Sequence, residues 1–419
     1  MSDAIVHLSS VAGSPLLDSA GQRLGRIEDV VARLDLADQL PAVVGLVARI
    51  GGREMFVPMN RIERLERAAA RTATTKLNLA QFERRPGEVL LRADVLDRSL
   101  INVQIARLVT ARDVELIQEE GTWWVAGVDP ALRARFYRFL PRRFRGHDSE
   151  HEEFVPWRDM EPFMGHVPTS RLKLRSPRLR RLHPAQIADL VEAASHEEGE
   201  EILQAVSQDK ELEADVFEEL DDEHQVEFLR ERSDEQVAQV LGRMESDDAA
   251  DLLLEIQQER RLPILNLLPA SKQRKVKGLL GHNPSTAGGL MNPDFVSMPA
   301  AASVESTLER VRDSALGLPQ MATVCVVDER GALVDAVSLS ELVRAQPNQT
   351  LSELTDSQLP TVHPEADLPE VARLMADYDL VAMPVVDHSG VPVGLIAVDD
   401  VLELLLPEEW RRRAGTARS

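Results

Sequence analysis

Few residues in this chain are of types that do covalent chemistry, and their surroundings argue against it. The single cysteine, Cys325, lies in the apolar run Val324-Cys325-Val326-Val327 with no histidine nearby in sequence. It reads as a buried, inert thiol, and no intrachain disulfide is possible. Neither a glycine-rich phosphate loop nor a zinc-type spacing of Cys and His occurs. His147 and His151 would share a metal if they lay on a helix, but the run His147-Asp148-Ser149-Glu150-His151-Glu152-Glu153 has the composition of a loop. No catalytic constellation remains, so the expectation is a protein that is not an enzyme. What the chain has in excess is carboxylate: 70 Asp and Glu against 48 Lys and Arg, a formal charge of −22. That excess works against wrapping of nucleic acid, which needs a cationic surface. It either attracts cations or keeps helix faces solvated, and net charge alone does not choose between these.

The elements that must position these carboxylates follow from length and pattern. At 419 residues, 43% hydrophobic and 28% charged, the chain has room for two to four globular domains, and with aromatics at 4% its cores must be built from Leu, Val and Ala. Helices are expected to carry much of the mass. Met1 to Ser10 lacks a basic stretch followed by an apolar one, and no run approaches the roughly 18–20 apolar residues a membrane span needs. The expectation is no transmembrane segment and a cytoplasmic location.

Residues 9–66 read as short strands, punctuated by Gly13-Ser14-Pro15 and by Asp18 to Gly21, with apolar alternation from Leu24 to Leu36. The segment closes on Phe56-Val57-Pro58 followed by Arg61-Ile62-Glu63. A near copy, Phe154-Val155-Pro156 followed by Asp159-Met160-Glu161, appears later. Between them, residues 87–128 hold Asp94-Val95-Leu96-Asp97, the stretch Ile105 to Thr110 and the strand Trp123-Trp124-Val125. The expectation is two related β-barrels in tandem, 1–70 and 86–165. The strand Leu24-Gly25-Arg26-Ile27-Glu28-Asp29-Val30 and the terminal Phe-Val-Pro resemble the PRC-barrel family, which implies a docking role toward an unnamed protein partner. Arg133 to Arg145 and the linker 166–181 are basic. They read as solvated linker, or as a surface for RNA, acidic lipid or the chain's own acidic domain.

From 182 to 284 the pattern changes to amphipathic helices with Ser, Asp or Glu starts every 11–13 residues, and Ala188-Asp189-Leu190 recurs as Ala250-Asp251-Leu252. Ser246 or Asp247 is a natural N-cap for the helix carrying Leu252-Leu253-Leu254. An α-helical solenoid is expected. A third repeat follows: Val326-Val327-Asp328-x-x-Gly331 with Val337-Ser338-Leu339-Ser340-Glu341-Leu342 aligns without gaps on Val385-Val386-Asp387-x-x-Gly390 with Ile396-Ala397-Val398-Asp399-Asp400-Val401. Each copy predicts a βαββα unit with the Asp and Gly at a hairpin turn. Each looks like a CBS motif, giving a tandem pair over 285–410, with copies at 291–346 and 351–407. The fold class is thus multidomain α+β: two small PRC-like β-barrels, a helical solenoid and a CBS pair.

The helical stretch, the string Thr286-Ala287-Gly288-Gly289-Leu290-Met291-Asn292-Pro293 and the CBS pair, with Arg373-Leu374-Met375-Ala376-Asp377-Tyr378-Asp379 in the second copy, together resemble the cytoplasmic part of MgtE-type magnesium transporters over roughly 182–410. The resemblance implies a non-catalytic sensor in which carboxylates of the helical and CBS domains share Mg²⁺ and close on one another. Matched residue by residue, it places ligands at Asp247 and Asp251 on the helical side, and at Asp367, the Ala376 carbonyl, Asp379, Asp400, Glu403 and Glu408 on the CBS side. Asp247 and Asp251, four apart, are expected to project from one helical face; Asp400 and Glu403, three apart, do likewise. Pro369 and Arg411 stand where the family tends to have carboxylates, which implies fewer ions. The chain ends a dozen residues after Pro407, where the transporter's membrane domain would begin, so it is not expected to conduct magnesium itself.

CBS pairs also bind adenine nucleotide through a Ser/Thr and an Asp at the strand-to-helix junction. The corresponding positions are Ser338 and Glu341 in the first copy and Asp400 in the second, with Glu341 replacing the Asp and Ala397 the hydroxyl; Leu380 sits where an aromatic could stack. The family further implies a homodimer through the CBS pairs. The rival readings are an accessory subunit of a separate magnesium transporter, and a metal-independent scaffold binding protein, RNA or nucleotide.

Overall fold

The computed structural model describes residues 4–34, 40–73, 80–130, 154–163, 178–314, 316–355 and 359–406. The basic stretch Arg133 to Arg145, His147, His151, Glu408 and Arg411 lie outside them. The chain divides into two compact units, Met1–Asp209 and Lys210–Ser419. No helix among the described residues is long and apolar enough to cross a membrane.

The internal repeat of the first unit is visible in its hydrogen-bonding. Arg53–Pro58 pairs antiparallel with Ala42–Ile50, setting Pro58 opposite Gly45; Val155–Pro156 pairs with Thr122–Asp129, setting Pro156 opposite Gly127. Both are followed by a tight 3₁₀ turn (Met59–Arg61, Trp157–Asp159) and a further strand (Ile62–Glu66, Met160–Pro162). The glycines permit these close approaches: a Cβ on Gly45 would stand 2.4 Å from the Phe56 ring, and one on Gly127 2.5 Å from the Val155 carbonyl oxygen.

Two separate barrels do not form, however. Strands from both repeats run through one nearly closed, barrel-like sheet of 12 strands, in which Thr122–Asp129 of the second repeat pairs with Ala42–Ile50 of the first. A single core takes Val6, Leu16, Ile27, Leu46 and Val57 from one repeat and Val89, Leu100, Leu116, Val125 and Trp157 from the other. The leading segments are exchanged. Ile5–His7 pairs with Asp113–Glu119, placing Val6 opposite Leu116, and Glu88–Leu90 pairs with Arg23–Arg33, placing Val89 opposite Ala32.

Each exchanged segment continues into a short helical turn held by a buried Asp of the other repeat. Asp113 accepts the Ser9 N–H at 3.0 Å and the Ser9 hydroxyl. Asp29 accepts the N–H groups of Arg92 at 2.8 Å and Ala93 at 3.0 Å. The first turn is four residues of α-helix (Leu8–Val11); the second (Leu91–Val95) has a fifth residue and is wound as a π turn. The sequence pattern showed that there were two copies. It could not show that each completes the other, because alternation specifies which face of a strand is buried and not which strand lies beside it.

The helices that follow begin at Pro184, His196, Lys210, Asp222, Asp234, Ser246, Gln258 and Ala270, the last six of them 12 residues apart. Ser195, Asp221 and Ser233 cap their helices by accepting N–H groups from Glu198, His224 and Gln236. Within the second unit, Asp234–Leu241 packs on Gln258–Leu267 and Ser246–Glu255 on Ala270–Leu279, the next-but-one stacking of a solenoid.

The two βαββα copies match at a constant offset of 59 residues. Thr323–Val327, Leu333–Ser338 and the helix from Leu339 recur as Ala382–Val386, Pro392–Ala397 and the helix from Val398. In the hairpin turns Asp328 and Asp387 each accept two backbone N–H groups at 2.8–2.9 Å, and Gly331 and Gly390 hold φ of +81° and +79°. Cys325 is fully buried, and burial pushes its thiol up to about 12.

The junction string lies along the second copy: the N–H groups of Ala287 and Gly288 donate to the carbonyls of Ala366 and Pro364, and Asn292 and Leu395 exchange both of their backbone bonds. This pairing holds the helical stretch against the pair.

Candidate metal centre

The helix Ser246–Glu255 opens on three polar residues, and its cap is Glu245, one residue before the expected Ser246 and two before Asp247. Ser246 is fully buried and its hydroxyl donates to Asp294 Oδ2 at 2.9 Å, so it is drawn into the junction and cannot cap. The register this imposes turns Asp247 inward. Asp247 is 8% exposed and its Oδ1 has no hydrogen-bond partner.

A set of carboxylates gathers around it. Asp247 is pushed well above the usual carboxylate range by burial, then by the charges of Asp400 and Glu245. Asp248 is raised in the same way by burial, with Asp247, Glu218, Asp400 and Glu245 adding to it. Asp400 is pushed up to about 7 by burial and by Asp399, Glu245 and Glu403. Glu218 reaches about 7 through burial and the charges of Glu245 and Asp215, although it accepts the Glu245 N–H at 2.5 Å. Glu245 is itself raised, by burial first and then by Asp399 and Asp294, and its Oε2 accepts Asn292 Nδ2 at 2.5 Å and Gln320 Nε2.

Two lysines offset part of this charge. Lys275 pairs with Asp294. Lys272 donates to the Met244 carbonyl, and burial holds its ammonium below the usual lysine range in spite of Asp294, Asp247 and Glu218 nearby. Carboxylates drawn together from the helical layer and from the helix Val398–Leu405, one of them with an orphaned buried oxygen, repel one another unless protonated or bridged by a cation. All the donors are oxygen, which suits a hard divalent ion such as Mg²⁺.

The other expected ligands are dispersed. Asp251 lies at the rim of a small cleft with Leu254, Leu279 and His282; crowding by the protein and the charges of Asp222 and Glu255 push it up to about 6. It therefore answers to its own helical layer and does not converge with Asp247 on Asp400. Asp367 caps the helix Leu368–Asp377, accepting the Glu370 N–H at 3.0 Å, and Pro369 occupies the first turn of that helix, where a proline is favourable. Ala376, in the last turn of that helix, and Asp379, just beyond it with φ of +52°, are exposed. Glu403 is exposed, and its charge reaches Asp400. Glu408 lies outside the described residues.

At the expected nucleotide position, the Ser338 hydroxyl donates to Glu341 Oε2 at 2.7 Å, while the Ser338 and Glu341 side chains satisfy each other's backbone N–H groups. The pair forms a capping box for its helix. Of the carboxylates not foreseen, Asp248 and Asp399 adjoin foreseen ligands in sequence and Glu245 lies two residues before one; Glu218, on the helix Lys210–Glu218, carries no such signal.

The MgtE intracellular N domain family matches residues 182–285 and the CBS domain family residues 351–407. The crystal structure of the cytosolic domain of the Mg²⁺ channel MgtE in complex with ATP is 32% identical; the match covers 55% of this chain and 93% of that one, with a TM-score of 0.50. This chain belongs to the MgtE family.

A second MgtE-like structure, the soluble part of a magnesium transporter, is 26% identical over 55% of this chain and 90% of its own, also with a TM-score of 0.50. The magnesium transporter MgtE of Thermus thermophilus is 38% identical over 143 residues, 34% of this chain and 32% of its own; that of Enterococcus faecalis is 29% identical over the same length. The chain thus spans about a third of the length of the curated MgtE relatives it matches. Its helical and CBS segments form a regulatory region of MgtE type, and no enzyme family is indicated by either domain.

Proposed function

We propose that this chain is a non-catalytic, cytoplasmic magnesium sensor in which Mg²⁺ governs how firmly the helical layer is held to the CBS pair. The observation that carries the reading is Asp247, a buried carboxylate with an unpartnered Oδ1 that feels the charge of Asp400 from the second CBS copy. Asp247 and Asp400 would hold the ion, with Asp248 and Glu245 beside them, and the ion would supply the positive charge this cluster lacks. Without it the carboxylates repel and the two layers loosen. The Mg²⁺ named for the similar channel supports the choice of ion. Isothermal titration calorimetry is expected to show Mg²⁺ binding in the wild type that Asp247→Asn weakens at least tenfold; equal affinity in the variant would refute the assignment.

Adenine nucleotide is the second ligand that similarity brings, through the relative solved with ATP. In this chain Ser338 and Glu341 are tied to each other, so a nucleotide would have to displace a formed helix cap, and Mg²⁺ is the ligand we favour. Homodimerisation through the CBS pair is supported by Val343, Leu402 and Leu405, which the helices Leu339–Arg344 and Val398–Leu405 leave exposed at 69%, 50% and 51%. Light scattering should give a dimer mass for the wild type and a monomer for Leu405→Asp; a monomeric wild type would exclude it. The PRC-like sheet would then present the magnesium state to a protein partner. An accessory subunit of a separate transporter is the competing role, and co-purification with a membrane protein would favour it.

A further inference from the structure

Beside the carboxylate cluster, on the side of the first CBS copy, lies a second pair of oxygens, Gln320 Oε1 and Glu245 Oε1. Gln320, in the turn Leu318–Met321, is 4% exposed, and its Nε2 donates to Glu245 Oε2 while its Oε1 is buried without a partner. Flipping the amide would not cure this, because it would exchange one orphan for another and set two acceptors face to face. Gly317 lines the same space. The position a Cβ would take there is 2.6 Å from Gln320 Oε1 and 3.0 Å from Glu245 Oε1. Two oxygens, one of them from an acid, thus converge on a cradle too tight for a methyl group without displacing the Gln320 amide.

We infer that this cradle is a second divalent-cation position, held by Glu245 Oε1 of the helical layer and the amide oxygen of Gln320 in the first CBS copy, with the charge of Asp399 from the second copy reinforcing it. It goes beyond the Asp247–Asp400 assignment, since it uses other donors and ties a third segment into the contact. A water would satisfy both oxygens but not the charge around them. Glu245 feels Asp399 and Asp294 as well as Lys272, and the cluster holds more carboxylates than the two lysines neutralise. A hard cation meets both needs, completing its shell with waters as Mg²⁺ commonly does. Glu245 Oε2 is already fixed by Asn292 and Gln320, so the carboxylate is oriented before any ion arrives.

The test is the number of Mn²⁺ ions bound per full-length chain, used as a spectroscopic stand-in for Mg²⁺, in the wild type, Gln320→Met, Gly317→Ala and Asp400→Asn. Gln320→Met removes the amide oxygen at nearly constant volume. Gly317→Ala keeps both side chains but sets a methyl 2.6 Å from Gln320 Oε1, which pushes that oxygen out of the position, at a residue whose φ of −64° and ψ of 166° an alanine adopts freely. Each of these two variants should bind one ion fewer than the wild type while keeping the ion that Asp400→Asn loses, and an anomalous Mn²⁺ peak should lie against Gln320 Oε1. A wild-type count in both variants, with an ordered water between Gln320 and Glu245, would overturn the second position and leave the first intact. A wild type that binds no Mn²⁺ at all would overturn both.

Discussion

In EDTA, the second unit should lose about 3 kcal/mol of stability between pH 5 and pH 8, and millimolar Mg²⁺ should restore most of it. The sign follows from the direction of the shifts. Asp400 and Glu218 are held at about 7 when folded, above their ordinary 3.8 and 4.5, so between those values the folded state binds more protons than the unfolded chain. Stability is therefore full below the unfolded values and falls as pH rises through about 7. The figure corresponds to one group shifted across that window, since neighbours that share a charge cluster do not add. At about 2–4 °C per kcal/mol, thermal melts at pH 8 in EDTA should lie roughly 6–12 °C below those at pH 5. Asp400→Asn removes a charge from the cluster while keeping its shape. It should raise the pH 8 melting temperature in EDTA and abolish most of the gain from Mg²⁺. A melting temperature that is flat or rises from pH 5 to 8 would show that the carboxylates do not burden the fold.

Replacing Gly289 should be the most damaging single change in the junction. A Cβ there would lie 2.4 Å from the Asn283 carbonyl oxygen and 2.6 Å from Pro284 Cα, backbone atoms that cannot step aside as a side-chain tip can. Gly289→Ala is expected to cost about 1–3 kcal/mol and Gly289→Val more, with weakened pairing of Ala287 and Gly288 to the second CBS copy. Gly278 is the internal control. It lies inside the helix Ala270–Leu279 with nothing within 4 Å of its Cβ position, so Gly278→Ala should stabilise by about 0.5–1 kcal/mol. Opposite signs at two glycines in neighbouring segments, read by chemical denaturation, would establish that the Ala-Gly-Gly string is there for close approach. Equal effects would make it a matter of helix propensity alone.

The legibility of the fold differs between the two units for a physical reason. In the CBS pair the elements are local: Asp328 and Gly331, or Asp387 and Gly390, specify a hairpin within a few residues, and both copies followed the pattern residue for residue. The β unit needs pairings such as Val6 with Leu116, across more than a hundred residues, and strand alternation carries no address for them. The repeat was legible there and the exchange of its leading segments was not. The site divides in the same manner. The resemblance names Asp247 and Asp400 as ligands, and in the fold the charge of Asp400 acts on Asp247. Asp251, at the same helical spacing, turns to Asp222 and Glu255 instead, since residues four apart share a face but need not share a partner. Ser338 and Glu341 show the reverse limit: a Ser-x-x-Glu string after a strand serves as a helix cap whatever ligand it also fits.

The central claim is that Mg²⁺ tightens the contact between the helical layer and the CBS pair through Asp247 and Asp400, and amide hydrogen exchange reads that contact directly. In the wild type, rising Mg²⁺ should slow exchange in peptides covering 245–255 and 398–405 together, with little change in the hairpins at Asp328 and Asp387, and Asp400→Asn should remove the response in both peptides. Exchange in those two peptides that is the same in EDTA and in saturating Mg²⁺ would contradict the account.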